Sequence, residues 1–200
     1  MNLTEERLQY LELLSQKFPS PAQVSTEIIN LKAILGLPKG TEHFISDIHG
    51  EYRFFIHILK NASGSVRRKI AQCFAEEGMS EENVNALATL IYYPEEKLAL
   101  LKEENGPLSE EWYTATLLHL VQVCRKATSK YTRSKVRKAM PRDFAYIIDE
   151  LLNYSEADED DNRTTYVHNI VRNIIKVGSA DAFIIAISEL IQHAVIDKLH

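Results

Sequence analysis

The sequence has 200 residues, 45% of them hydrophobic and 26% charged, so it can bury a core in one or two domains and does not have the polar, aromatic-poor composition of a disordered chain. Its 23 Lys and Arg against 28 Asp and Glu leave a net charge of −5, which argues against a general nucleic-acid binder, whose phosphate contacts require a basic face. Cys73 and Cys124 sit in apolar helical patterns without C-x-x-C spacing and read as buried thiols of a reducing compartment, not as disulfide partners or zinc ligands.

Met1 to Arg7 lack the charged start and apolar stretch of a secretory signal, and no run approaches the ~18 apolar residues of a membrane span, so a cytoplasmic chain without membrane contact is expected. Leu8, Leu11, Leu14 and Phe18 fall three or four apart and predict a helix that Pro19-Ser20-Pro21 stops. Ser20 then caps a second helix with Pro21 in its first position. Val24, Ile28, Leu31 and Leu35 line one face of that helix, and Gly36 with Pro38 ends it.

After Lys39-Gly40 the short apolar run His43-Phe44-Ile45 predicts a buried strand over residues 42–46. It leads into Asp47-Ile48-His49-Gly50, and a helix follows through Phe55, Ile58 and Leu59 to the breaker Asn61-Ala62-Ser63-Gly64. From Ser65 onward the pattern is successive helices, with starts at Ser80, Ser109 and Ser179. Their apolar faces include Val84, Leu87 and Ile91; Trp112, Thr116 and His119 beside Leu117, Leu120 and Cys124; Val167, Ile170 and Ile174; and Phe183, Ile187, Leu190 and Ala194. The acidic run Glu156 to Asp161 lacks the glycine and ligand alternation of a calcium loop and reads as solvated.

The turn Ser46-Asp47-Ile48-His49-Gly50-Glu51 carries the most chemistry. An Asp and a His two apart, where the chain leaves a strand, can both reach one ion and offer an oxygen and an imidazole to manganese, iron or zinc. Gly50 lets the backbone turn tightly beside them. The competing reading is that Asp47 only caps the helix beginning near Gly50, since a bare D-x-H is common. His43 and His57 lie off this turn and are assigned to packing or surface roles; His119, His168, His193 and His200 have no ligand spacing among themselves.

A basic tract, Arg125-Lys126, Lys130, Arg133, Lys135 and Arg137-Lys138, encloses Tyr131. It can hold the phosphates of a sugar bisphosphate or a nucleotide, Arg133 and Lys135 being the substrate-binding candidates, or it can be a solvated helix face.

The stretches Val24 to Leu31 and Leu37 to Tyr52 resemble the opening of the class III fructose-1,6-bisphosphatases of bacteria, and Tyr131 to Lys138 and Asp143 to Ile148 are similar to the same family. The resemblance implies a place among the calcineurin-like metallophosphoesterases, an α/β two-sheet sandwich flanked by helices. It also implies manganese-dependent hydrolysis of fructose 1,6-bisphosphate in gluconeogenesis. Asp47 and His49 match the first D-x-H metal pair. The later G-D-x-x-D and G-N-H motifs have no counterpart here, so no catalytic residue is assigned.

The expectation is therefore an amino-terminal piece of a longer enzyme, inactive alone. It should be predominantly α with one or few short strands. Residues 1–64 would hold the first helices and the start of the core, 65–195 a helical insertion, and 196–200 the approach to a second core strand. The sugar bisphosphate is the expected partner, with a nucleotide effector also admitted by the basic tract. The rival expectation is a helical module that binds a nucleotide or a protein without catalysis.

Overall fold

The computed structural model describes residues 4–38, 40, 42–153, 161–196 and 198–199. Its elements in chain order are α1 (Glu5–Lys17), α2 (Pro21–Leu35), β1 (Glu42–His43), α3 (Tyr52–Asn61), α4 (Ser65–Cys73), α5 (Glu81–Tyr92), α6 (Pro94–Asn105), α7 (Glu110–Thr128), α8 (Arg133–Ala139), α9 (Ala145–Leu152), α10 (Asp161–Lys176), α11 (Ala180–Val195) and β2 (Lys198–Leu199). The chain is predominantly helical with two short strands, and it divides into two compact units, Met1–Lys39 and Gly40–His200.

In the first unit the Pro19-Ser20-Pro21 punctuation works as its chemistry dictates. Ser20 Oγ accepts from the Gln23 amide at 3.3 Å, which satisfies a donor that the first helical turn leaves unpaired, and Pro21 occupies the first turn. Leu11, Leu14 and Phe18 face Val24, Ile28 and Leu31 across an apolar cleft. Neither helix contains a buried residue, because two helices alone cannot enclose an apolar stripe.

The second unit is built on α7 and α11, which pack against each other more extensively than any other pair. Leu117, Leu120 and Cys124 on α7 meet a core to which α11 contributes Phe183, Ile184, Ile187 and Ile191, all within the buried cluster. Val84, Leu87 and Ile91 of α5, Val167 and Ile174 of α10, and Ile148 and Leu151 of α9 join it, so the faces read from helical periodicity are core faces. Truncating one such leucine to alanine costs about 2–5 kcal/mol.

Polar contacts tie the edges of this core. Asp181 at the start of α11 accepts from Tyr113 Oη at 2.8 Å and pairs with Lys102 Nζ, which joins α6, α7 and α11. Ser80 and Ser109 cap α5 and α7 through the amides of Asn83 and Trp112. Ser179 precedes α11 as expected but makes no side-chain cap.

The strand expected over 42–46 is shorter. Among the described residues only Glu42 and His43 enter a ladder, pairing in parallel with Lys198 and Leu199, and of residues 42–46 only His43 is buried. Among the described residues the strand stops at His43, and Phe44 follows it with 76% of its surface exposed. The acidic run from Glu156 to Asp160 lies outside the described residues, and Asp161 opens α10.

Candidate metal centre

The chain leaves β1 in irregular backbone and reverses at His49 and Gly50, whose φ angles of 47° and 72° both fall in the left-handed region. Histidine is among the side chains that tolerate this region, and glycine enters it without steric penalty. A Cβ on Gly50 would meet nothing within 4 Å, so the requirement for glycine is conformational and not spatial. The Glu51 amide donates to the Ile48 carbonyl at 2.9 Å, which closes the turn, and α3 begins at Tyr52.

Asp47 does not cap α3. Its Oδ1 accepts from the His49 amide at 3.2 Å, a local turn closed by a carboxylate two residues back. Its Oδ2 lies 2.8 Å from His49 Nε2. The two candidate ligand atoms therefore converge. That separation is an ordinary hydrogen-bond or ion-pair distance, and it sets the two candidate ligand atoms side by side on one turn. Oxygen and imidazole donors also match manganese, iron or zinc chemistry.

Both side chains are largely exposed, and among the described residues no group of three or more His, Cys, Asp or Glu side chains is gathered to hold a metal. Phe44, Ile48, Tyr52 and Phe54 are exposed around the turn. Exposed apolar side chains gathered about a polar turn mark a surface suited to contact with protein or ligand.

His43 is buried on β1, with Nδ1 3.3 Å from Ser63 Oγ; its Nε2 has no hydrogen-bond partner among the described residues. Ser63 is reached because Ala62 and Ser63 both adopt positive φ after α3. The sequence placed His43 in a packing role but gave no sign of Ser63, twenty positions away. His57 is exposed, stacked on Tyr93 at 5.9 Å and bonded through Nδ1 to its hydroxyl at 2.5 Å. Neither histidine forms a metal-holding group with Asp47 and His49 among the described residues.

The basic tract is divided in its roles. Arg125 donates to the carbonyls of Leu151 and Leu152, and Arg133 and Arg137 both reach Asp149 Oδ2, at 3.2 and 3.6 Å. Lys135 lies over the Tyr131 ring at 4.0 Å, and the Tyr131 hydroxyl donates to the Ala194 carbonyl. Arg133, Ser134, Arg137 and Lys138 line a shallow open concavity on α8. No hydrogen bond or ion pair among the described residues links α8 to the Asp47–His49 turn.

The sequence profile described as Firmicute fructose-1,6-bisphosphatase matches residues 9–200. A protein of Alkaliphilus metalliredigens named fructose-1,6-bisphosphatase class 3 is 58% identical over 195 residues, 96% of this chain and 28% of that protein. Proteins of the same name from Clostridium tetani and Porphyromonas gingivalis are 55% and 56% identical, over 100% and 96% of this chain and 30% and 29% of their own length. The chain thus spans less than a third of the length of the curated relatives it matches. No solved structure matches it. A profile that covers all but the first eight residues, and relatives more than half identical along the same span, place the chain in the Firmicute fructose-1,6-bisphosphatase family.

Proposed function

We propose that this chain is the amino-terminal portion of a cytoplasmic, metal-dependent phosphatase that hydrolyses fructose 1,6-bisphosphate to fructose 6-phosphate and phosphate in gluconeogenesis. The observation that carries the proposal is identity of 55–58% with proteins named for that activity, sustained along nearly the whole chain.

The convergence of Asp47 Oδ2 and His49 Nε2 supports their assignment as ligands of manganese. Bound manganese would supply charge stabilisation and a lowered pKa for a coordinated water. Asp47 would add a negative oxygen donor, and the turn closed onto its carboxylate would fix that donor's direction. Two ligands are fewer than a metal centre needs, so the remainder would come from protein covering the apolar rim.

Two further assignments belong to this reading. The parallel pairing of β1 with β2 brings together the two flanks of the helical run, which favours residues 65–195 as an insertion within a metallophosphoesterase core. The exposed face of α8 favours Arg133 and Lys135 as contacts for the phosphate of the sugar or of a nucleotide effector, Arg133 exchanging Asp149 for the ligand.

The test is phosphate release from fructose 1,6-bisphosphate with manganese, in a full-length protein that begins with this sequence. Asp47→Asn should lower kcat by about 100-fold or more, while the 200-residue chain alone should be silent. Near-normal manganese-dependent turnover by the Asp47→Asn protein would refute the placement of the metal.

A further inference from the structure

A second site lies away from the metal turn and the basic tract. Helices α5, α6 and α7 leave an open pocket of about 300 Å³ between them. Its walls are apolar: Leu87 and Leu90 form a buried base, and Trp112 and Leu101 stand half-buried at the sides. Ala86 and Ala115 are short and leave the space unfilled.

Four polar side chains line these walls: Asn83, Lys97, Thr116 and His119. Lys97 is half-buried, and its ammonium makes no hydrogen bond or ion pair among the described residues. Thr116 offers a hydroxyl. His119 packs its ring edgewise on Phe74 at 4.9 Å, and burial pushes its pKa down, so the imidazole is neutral near pH 7. A mostly apolar concavity with a few convergent polar groups is the usual form of a small-molecule site.

We propose that this pocket binds a small amphipathic monocarboxylate, its aryl or alkyl body against Trp112 and Leu90 and its carboxylate paired with Lys97. The charge complement is one: a single unpaired ammonium faces the pocket, and the other three polar groups, Asn83, Thr116 and His119, are neutral. A phosphate or bisphosphate would bring more charge than the site can match and would desolvate it against leucine. The volume equals that of about ten water molecules, which suits a single ring with a short acid arm. Burying the ring against indole adds a stacking or edge contact to the area removed from water. This proposal is independent of the phosphatase reading.

Trp112 is the only tryptophan in the chain, so intrinsic emission reports on the pocket directly. The 200-residue chain would be titrated with phenylacetate and, as the uncharged isostere, phenylacetamide. Phenylacetate should change the emission saturably and bind about ten-fold or more tightly than the amide, as expected for one charge-assisted contact. Lys97→Met should remove that preference and leave amide binding unchanged. Ala115→Phe should abolish both responses with helical circular dichroism retained. Absence of any saturable response, equal binding of acid and amide, or an unaltered preference in Lys97→Met would each overturn the proposal; the last two need no variant that fills the pocket.

Discussion

The Arg125 guanidinium on α7 donates from Nη2 to the Leu151 carbonyl at 3.1 Å, with Nε reaching the neighbouring Leu152 carbonyl at 3.3 Å. Those two carbonyls end α9, where the helix itself supplies no donors and carries partial negative charge. One residue of the basic tract is thus a helix cap. Arg125→Ala should destabilise the chain by about 1–3 kcal/mol, the range for a charged hydrogen-bond donor to half-buried carbonyls. Arg133→Ala removes an exposed guanidinium from Asp149, which Arg137 still reaches, and should cost no more than about 0.5 kcal/mol. Urea melts of the two variants would separate these values, and equal midpoints would show that Arg125 is not structural.

The Lys102, Asp181 and Tyr113 contact predicts a loss of stability at alkaline pH. The hydrogen bond to Asp181 raises the Lys102 pKa, and burial, with the Asp181 contact second, raises that of Tyr113. For both groups the folded chain holds its proton more tightly than the unfolded chain does. Their stabilisation is therefore complete below the unfolded values near 10 to 10.5 and is lost as pH rises through the higher folded ones. Thermal melts should fall steeply above about pH 10 in the native sequence. Asp181→Asn should flatten that fall and lower the melting temperature at neutral pH.

The two thiols should differ in reactivity. Cys124 is buried in the α7 core, and burial pushes its pKa up to about 12; Cys73 is only partly covered, and burial raises its thiol too. Since the thiolate is the nucleophile, a disulfide reagent should modify Cys73 slowly in the folded chain and Cys124 only on unfolding. Mass spectrometry of the partly labelled chain would identify the site. Labelling of Cys124 at the rate of Cys73 would mean that α7 opens readily.

Gly50 offers a test of the turn that is independent of metal. With φ at 72° and open space where a Cβ would stand, Gly50→Ala should cost about 1 kcal/mol, and Gly50→Asn less, because asparagine enters the left-handed region more readily. Denaturant midpoints would rank the three sequences. A larger loss for asparagine than for alanine would point to crowding instead of backbone strain.

What could be read from the sequence was local. Ser20, Ser80 and Ser109 reach amides three residues on, so the cap and its partner lie within one short window. Apolar spacing gave the faces of α5, α7, α10 and α11 because each core face repeats along its own helix. The strand over 42–46 was overextended, since its length depends on a partner at residues 198–199 that leaves no trace in the local pattern. At the turn, residue types and spacing indicated Asp47 and His49. The carboxylate accepting from its own neighbour's amide was not foreseen, because capping α3 was an equally good use for it. Lys97 and Trp112 line one pocket because α6 packs on α5 and α11 while α7 packs on α11, and neither helix alone brings them together.

The pairing of β1 with β2 bears on the order of assembly. Glu42 aligns with Lys198, residues about 150 positions apart, and closing so long a segment of loose chain for a ladder two residues long would be entropically unfavourable. The helices between them shorten that path once they have packed, so the strands should meet after α7 and α11 and not before. The bend at Asp47 and His49 would then take its final shape late, with backbone amides beside it exchanging with deuterium faster than those inside α7.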